Sequence, residues 1–181
     1  MKLHLGCGKR FIPGFVHIDL AKFDHIDYQA NIDDLSFIKN ESVDLIYACQ
    51  VLEYFDRDEM INVLNEWKRV LKKGATLRVS VPNFEIITDL YNQGLELDKF
   101  LGTLYGKWPI SENEYVFHKT TFDFDSINKL FSNLEFTNVR HWDWRKTEHA
   151  HIDDYSQAYY PHMDKENGIL FNLNVEADKK G

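Results

Sequence analysis

Three short groups near the start of the chain have the residue types and spacing needed to hold a nucleoside. Gly6-Cys7-Gly8 follows the apolar run KLHL. Glycines there let a ligand approach the backbone closely and permit positive φ. Asp19 ends a second apolar run, in FVHIDL, where a carboxylate can accept hydrogen bonds from both ribose hydroxyls. Asn31-Ile32-Asp33 forms a polar turn after a third, weaker run, within reach of an adenine edge. Asn31 and Asp33 compete for that contact, because asparagine accepts from an amino group without adding charge. The loop is a poor phosphate cradle. Position 11 is Phe, so GxGxxG fails, and GxxxxGK(S/T) is absent. Only residues 9–13 separate Gly8 from Gly14, too few for the full helix whose N-terminus would hold a pyrophosphate. An adenosine without a pyrophosphate fits better, and a dinucleotide oxidoreductase ranks last among the readings.

Further candidates come later. In TEHAHIDD, residues 147–154, His149, His151, Asp153 and Asp154 are all competent ligands for zinc or iron, and their spacing resembles the HxHxDH motif of the metallo-β-lactamase fold. Asp154 stands where that motif has His, and the stretch follows strands that suit another fold. A solvated polar loop is the stronger reading, and no metal site is assigned. His118, in EYVFHKTTF, could be a base or a hydrogen-bonded structural histidine. Tyr105, Trp108 and Tyr115 could wall a ring-shaped ligand or cap the sheet. Cys49, at the end of VDLIYAC, could face a ligand or be an ordinary buried cysteine.

The elements that must position these residues alternate. Strands are expected at 2–5, 15–20, weakly within 28–37, at 43–49 and at 75–81. A helix ending near 72 carries Met60, Ile61, Leu64, Trp67, Val70 and Leu71 at helical spacing, capped by Asp56 or Asp58. Further helices are expected at 84–93 and 125–134, the latter capped by Asp123 or Asp125. Two late strands are expected at 137–144 and 168–177. Trp67, Phe84 and Phe131 have core spacing. This alternation predicts an α/β protein: one Rossmann-like open sheet, mostly parallel, with an antiparallel C-terminal strand and helices on both faces. Its ligand belongs outside the carboxyl ends of the strands. Residues 1–181 read as one domain, with a lid-like insertion around 95–121 and an irregular loop around 145–167.

Bulk properties narrow the function classes. A net charge of −8 argues against a nucleic-acid or anionic-membrane binder. Two cysteines are too few for a disulfide framework, and no apolar run reaches spanning length, so a cytoplasmic location without a membrane span is expected.

On LHLGCG, FVHIDL, NIDDLSF, VDLIYACQVLEYF, LKKGATLRVSVPN and the closing LNVEA, taken in order, the chain resembles the class I S-adenosylmethionine-dependent methyltransferases, and within them the small type 11 group. The resemblance implies S-adenosylmethionine as cofactor, with S-adenosylhomocysteine as product. It places Gly6, Cys7 and Gly8 under the methionine part and ribose, Asp19 on the ribose hydroxyls and Leu20 against the adenine. Asn31, Ile32 and Asp33 fall at the adenine edge, and Cys49 and Gln50 near the sulfonium. It implies a small-molecule or saccharide acceptor, with oxygen favoured over nitrogen, and sets the 118 region over the acceptor mouth, so that His118, then His151 and Asp153, are the base candidates. Relatives often show LEH where this chain has Leu52-Glu53-Tyr54. They also carry residues ahead of the first strand that help cover the cofactor. An open site is therefore expected, closed by the middle insertion or by a second subunit in a homodimer. The competing functions are a non-catalytic cofactor-binding module and, further behind, a metal-dependent hydrolase.

Overall fold

The computed structural model describes residues 1–181. Seven strands form one sheet in the order β3-β2-β1-β4-β5-β11-β8. These are β1 (Lys2–Leu5), β2 (Val16–Asp19), β3 (Tyr28–Gln29), β4 (Val43–Cys49), β5 (Leu71–Pro82), β8 (Phe136–His141) and β11 (Asn172–Lys179). The first five pair in parallel. β11 enters between β5 and β8 antiparallel to both. Chain order and spatial order part between β1 and β4, which is where an open α/β sheet forms its ligand crevice.

The two faces differ in chemistry. One receives Leu3, Leu5, Ile46, Leu77 and Val175, and helices α1 (Arg57–Val70) and α4 (Phe124–Asn133) cover it. Met60, Val63, Leu64 and Trp67 of α1 and Ile127 and Phe131 of α4 supply the apolar stripes. Asp56 caps α1 in a reciprocal box with Glu59, and Asp123 caps α4 with Ser126.

The opposite face is largely polar. His17, His4, Tyr47, Arg78 and Glu176 lie directly opposite one another on successive strands. His4 stacks on Tyr47 with ring centroids 5.2 Å apart, and Arg78 pairs with Glu176 at 2.8 Å. This face is covered by the loop after Gly8, through Ile12 and Phe15, and by the late loop, through Trp142, Trp144 and Ile152. The late loop contains two 3-10 helices, Trp144–Lys146 and Tyr155–Gln157.

Several boundaries depart from the sequence pattern. Leu71 opens β5 rather than closing α1, because β5 pairs with β4 as early as Val43–Leu71 and shifts register before Thr76. Ile61 and Phe84 are exposed and leave the core. Residues 95–121 are more regular than expected, holding α3 (Asp98–Tyr105) and a hairpin of β6 (Trp108–Pro109) and β7 (Tyr115–Val116), after α2 (Phe84–Asn92). Ile169–Leu170 (β10) pairs with Tyr159–Tyr160 (β9) instead of extending the last strand. No helix is long and apolar enough to cross a membrane.

Candidate active site

A single large cleft of about 1320 Å³ opens at the carboxyl ends of β1, β2 and β4. Its floor begins at Gly6 and Gly8, with φ of +60° and +52°. A Cβ at Gly6 would come within 2.6 Å of a Val51 methyl, so a side chain at this position would force its surroundings to shift. A Cβ at Gly8 would meet only Trp108, at 3.9 Å. Between them Cys7 is buried, and burial together with the nearby Asp19 carboxylate pushes its thiol up to about 12.

Asp19 is locked in place by backbone donors. Gly8 N–H donates to Oδ2 and Ala21 N–H to Oδ1, each at 2.7 Å. Each carboxylate oxygen keeps acceptor capacity for a further donor. Leu20, Asn31, Ile32 and Asp33 line one end of the cleft, and Cys49 and Gln50 the other. The structure therefore gathers all ten residues expected at a cofactor around one cavity. Gln50 itself has φ of +57°, where the chain turns sharply off β4.

The middle insertion forms the opposite wall. His118 Nδ1 lies 2.7 Å from the Thr103 carbonyl. A carbonyl accepts only, so Nδ1 carries the proton and Nε2 presents the lone pair. Burial holds the imidazole below its usual range, so it is neutral near pH 7. Its ring meets Tyr54 edge to face at 4.6 Å. The segment is pinned to the turn after β4, because Lys119 N–H and Thr120 N–H both donate to the Glu53 carbonyl, at 2.7 and 3.2 Å. The Glu53 side chain is fully buried, and neither carboxyl oxygen has a partner. Burial raises its pKa to about 8.

Some expected site residues fall elsewhere. His151 and Asp153 are exposed and lie off the cleft, Asp153 pairing with Lys165 at 3.2 Å. The late loop reaches the cleft one residue further on, through Asp154 and Tyr155. Of the three wall aromatics, Trp108 and Tyr115 line the cleft, whereas Tyr105 is 64% exposed and points away. His149 is buried against Tyr47, at 4.4 Å, while His151 faces solvent, so the TEHAHIDD side chains do not converge on a common point. No group of three His, Cys, Asp or Glu side chains is arranged to hold a metal ion. Residues that sequence reasoning missed include His4, Ala21, Tyr54 and Asn172, all in the cleft wall. Ala21 carries no chemical signal, and Asn172 could be found only by knowing where β11 begins.

Strand order, antiparallel insertion and the glycine–aspartate cleft together define a class I S-adenosylmethionine-dependent methyltransferase-like fold. Residues 15–79 match the type 11 family model described as Methyltransferase domain. Among solved structures, the chain is similar to a SAM-dependent methyltransferase from Methanosarcina mazei (17% identity, 99% of this chain and 92% of that one, TM-score 0.60). It is also similar to a possible histamine N-methyltransferase from Thermotoga maritima (15% identity, 99% and 82%, TM-score 0.60). A third is the Burkholderia thailandensis 1,6-didemethyltoxoflavin-N1-methyltransferase, solved with 1,6-didemethyltoxoflavin and S-adenosylhomocysteine (10% identity, 99% and 71%, TM-score 0.56). No curated protein matches the chain.

Proposed function

We propose that this chain is an S-adenosylmethionine-dependent methyltransferase acting on a small molecule or saccharide, with oxygen favoured as the methylated atom. The observation that carries the reading is Asp19, fixed at the end of β2 by two backbone donors, one of them from the Gly6–Gly8 turn, so that turn and carboxylate line the same cleft. Its residual acceptor sites suit a pair of ribose hydroxyls. Leu20 and Asn31–Asp33 would flank the adenine, and Gly6, Cys49 and Gln50 the methionine part. The residues fit the cofactor: Gly8 leaves free space where a side chain would intrude, and the cavity exceeds the ~300–1,000 Å³ of a common single-ligand pocket, which leaves room for an acceptor.

Bound there, the cofactor supplies an electrophilic methyl group, and the protein supplies binding and alignment. Trp108 and Tyr115 offer a flat apolar wall to a sugar or aromatic ring. Holding donor and acceptor in near-attack geometry can lower the barrier by ~7–11 kcal/mol. His118, neutral and with Nε2 free to accept, can take the proton of a hydroxyl acceptor, a contribution of typically ~10²–10⁴-fold. That free acceptor is what favours oxygen.

Calorimetric titration with S-adenosylmethionine and S-adenosylhomocysteine tests the reading. Wild type should bind both. Asp19→Ala should bind at least ~10-fold more weakly, since a hydrogen bond to a charged group contributes about 1.5–3 kcal/mol. Absence of binding to the wild type overturns the proposal.

A further inference from the structure

Asp154 is the most elaborately held acidic side chain in the cleft, and neither the adenosine site nor the base accounts for it. It is buried at 8% exposure, yet it lines the cavity. Tyr47 O–H donates to Oδ2 at 2.6 Å, while Ser156 N–H and Oγ–H donate to Oδ1 at 2.9 and 2.5 Å. A carboxylate has about four acceptor sites, so one remains. The loop that carries it is braced from below by Asn174 Nδ2, which donates to the Ser156 carbonyl at 2.9 Å, and from the glycine-loop side by Arg10, which donates to the Asp153 carbonyl at 2.7 Å.

Position decides what the remaining site faces. Asp19 marks the ribose, and Leu20 and Asn31–Asp33 mark the adenine beyond it, toward β3. The rest of the nucleoside must run the other way, over Gly6 and β1 toward Cys49 on β4. Asp154 lies at that end: it lines the same cavity as Cys49, and Tyr47, its donor, is two residues before Cys49 on β4. The other acidic groups of the cleft are committed or misplaced. Asp19 is at the ribose, Asp33 is exposed at the adenine end, and Glu59 pairs with Lys119 at 2.7 Å.

Given the cofactor reading above, on which this rests, we propose that Asp154 is the positioning residue that receives the α-ammonium of the cofactor's methionine part. A late-loop carboxylate thereby fixes the end of the cofactor opposite Asp19, and the methyl group is held between two anchored ends.

The test compares S-adenosylhomocysteine with 5′-methylthioadenosine, which keeps the thioether nucleoside and lacks the amino-acid part. Asp154→Asn should weaken S-adenosylhomocysteine by ~10–100-fold and leave methylthioadenosine unchanged. The α-deamino analogue of S-adenosylhomocysteine should bind wild type with a similar loss, and Asp154→Asn should add no further loss to it. Equal weakening of both nucleosides by Asp154→Asn, or a deamino analogue that binds wild type as tightly as S-adenosylhomocysteine, overturns the assignment while leaving the cofactor site standing. If wild type binds neither nucleoside, the cofactor reading falls and this assignment with it.

Discussion

Replacing Glu53 by Gln should make the protein more stable in alkaline solution and leave it little changed in acid. The Glu53 carboxyl is fully buried with both oxygens unpartnered, so the folded protein holds it protonated until about pH 8. In the unfolded chain the same group ionises near its ordinary 4.5. Its folded pKa is therefore raised: its favourable contribution is complete below about 4.5 and is lost as pH rises through 8. At ~1.4 kcal/mol per pH unit, the interval between 4.5 and about 8 amounts to at most ~5 kcal/mol. Relaxation and water entry reduce this, and ~2–4 kcal/mol is the expected difference between wild type and Glu53→Gln at pH 9. Such a difference is a large share of the ~5–15 kcal/mol typical of a domain. Urea unfolding of both proteins at pH 5, 7 and 9 reads it directly. Other titrating groups are common to the two and cancel in the difference. Parallel stability–pH curves would refute the reasoning, because they would mean that Glu53 ionises in the folded state as it does in the unfolded chain.

The acid flank should behave in the opposite sense. His4, His17 and His149 are held by burial below their ordinary 6.5, and Ile12 N–H donates to His17 Nε2 at 2.9 Å, a bond that protonation would break. Their folded pKa values are depressed, so stability should be complete above 6.5 and fall as pH drops, by up to ~1.4 kcal/mol per pH unit for each histidine; His149→Phe should flatten the fall measured by urea midpoints from pH 7.5 to 5.5. Gly6→Ala should cost about 2–4 kcal/mol, from a left-handed backbone plus the clash with Val51, whereas Gly8→Ala should cost only about 1 kcal/mol, from the backbone alone. His118→Ala should lower turnover of a hydroxyl acceptor by ~10²–10⁴-fold without changing S-adenosylhomocysteine affinity; unchanged turnover removes it as the base.

The glycine–aspartate end of the cleft was legible because its residues are tied to strand ends. Gly6, Gly8 and Asp19 each follow an apolar run by a fixed step, and the sheet brings such ends together whatever the loops do. The late loop was not legible in this way. TEHAHIDD contains six polar residues in eight positions, and only tertiary contacts separate them: His149 packs on Tyr47 and Asp154 accepts from Tyr47, while Asp153 pairs outward with Lys165. Glu53 is a similar case. Nothing in LEYF marks its carboxylate as buried, and the Lys119–Thr120 segment that docks on the Glu53 backbone is distant in sequence. Tyr105 and Trp108 are three residues apart and equally aromatic, yet the turn at Gly106, with φ of +55°, sends one outward and the other into the cleft.

The polar sheet face explains why this late loop reaches the site at all. A row of His17, His4, Tyr47, Arg78 and Glu176 offers hydrogen-bonding groups rather than an apolar bed, so an amphipathic helix would leave them unmatched. Only five residues, 9–13, lie between Gly8 and Gly14, which is too short for a covering helix in any case. What covers the face is a loop with its own polar atoms: Asp154 meets Tyr47, Asn174 meets the Ser156 carbonyl, and Gln157 donates to the carbonyls of Ala150 and Ile152 at 3.0 and 2.8 Å. The same pairings that satisfy the buried face therefore deliver a carboxylate to the cleft. Stability of that face and cofactor affinity should be coupled through Tyr47, whose hydroxyl serves both.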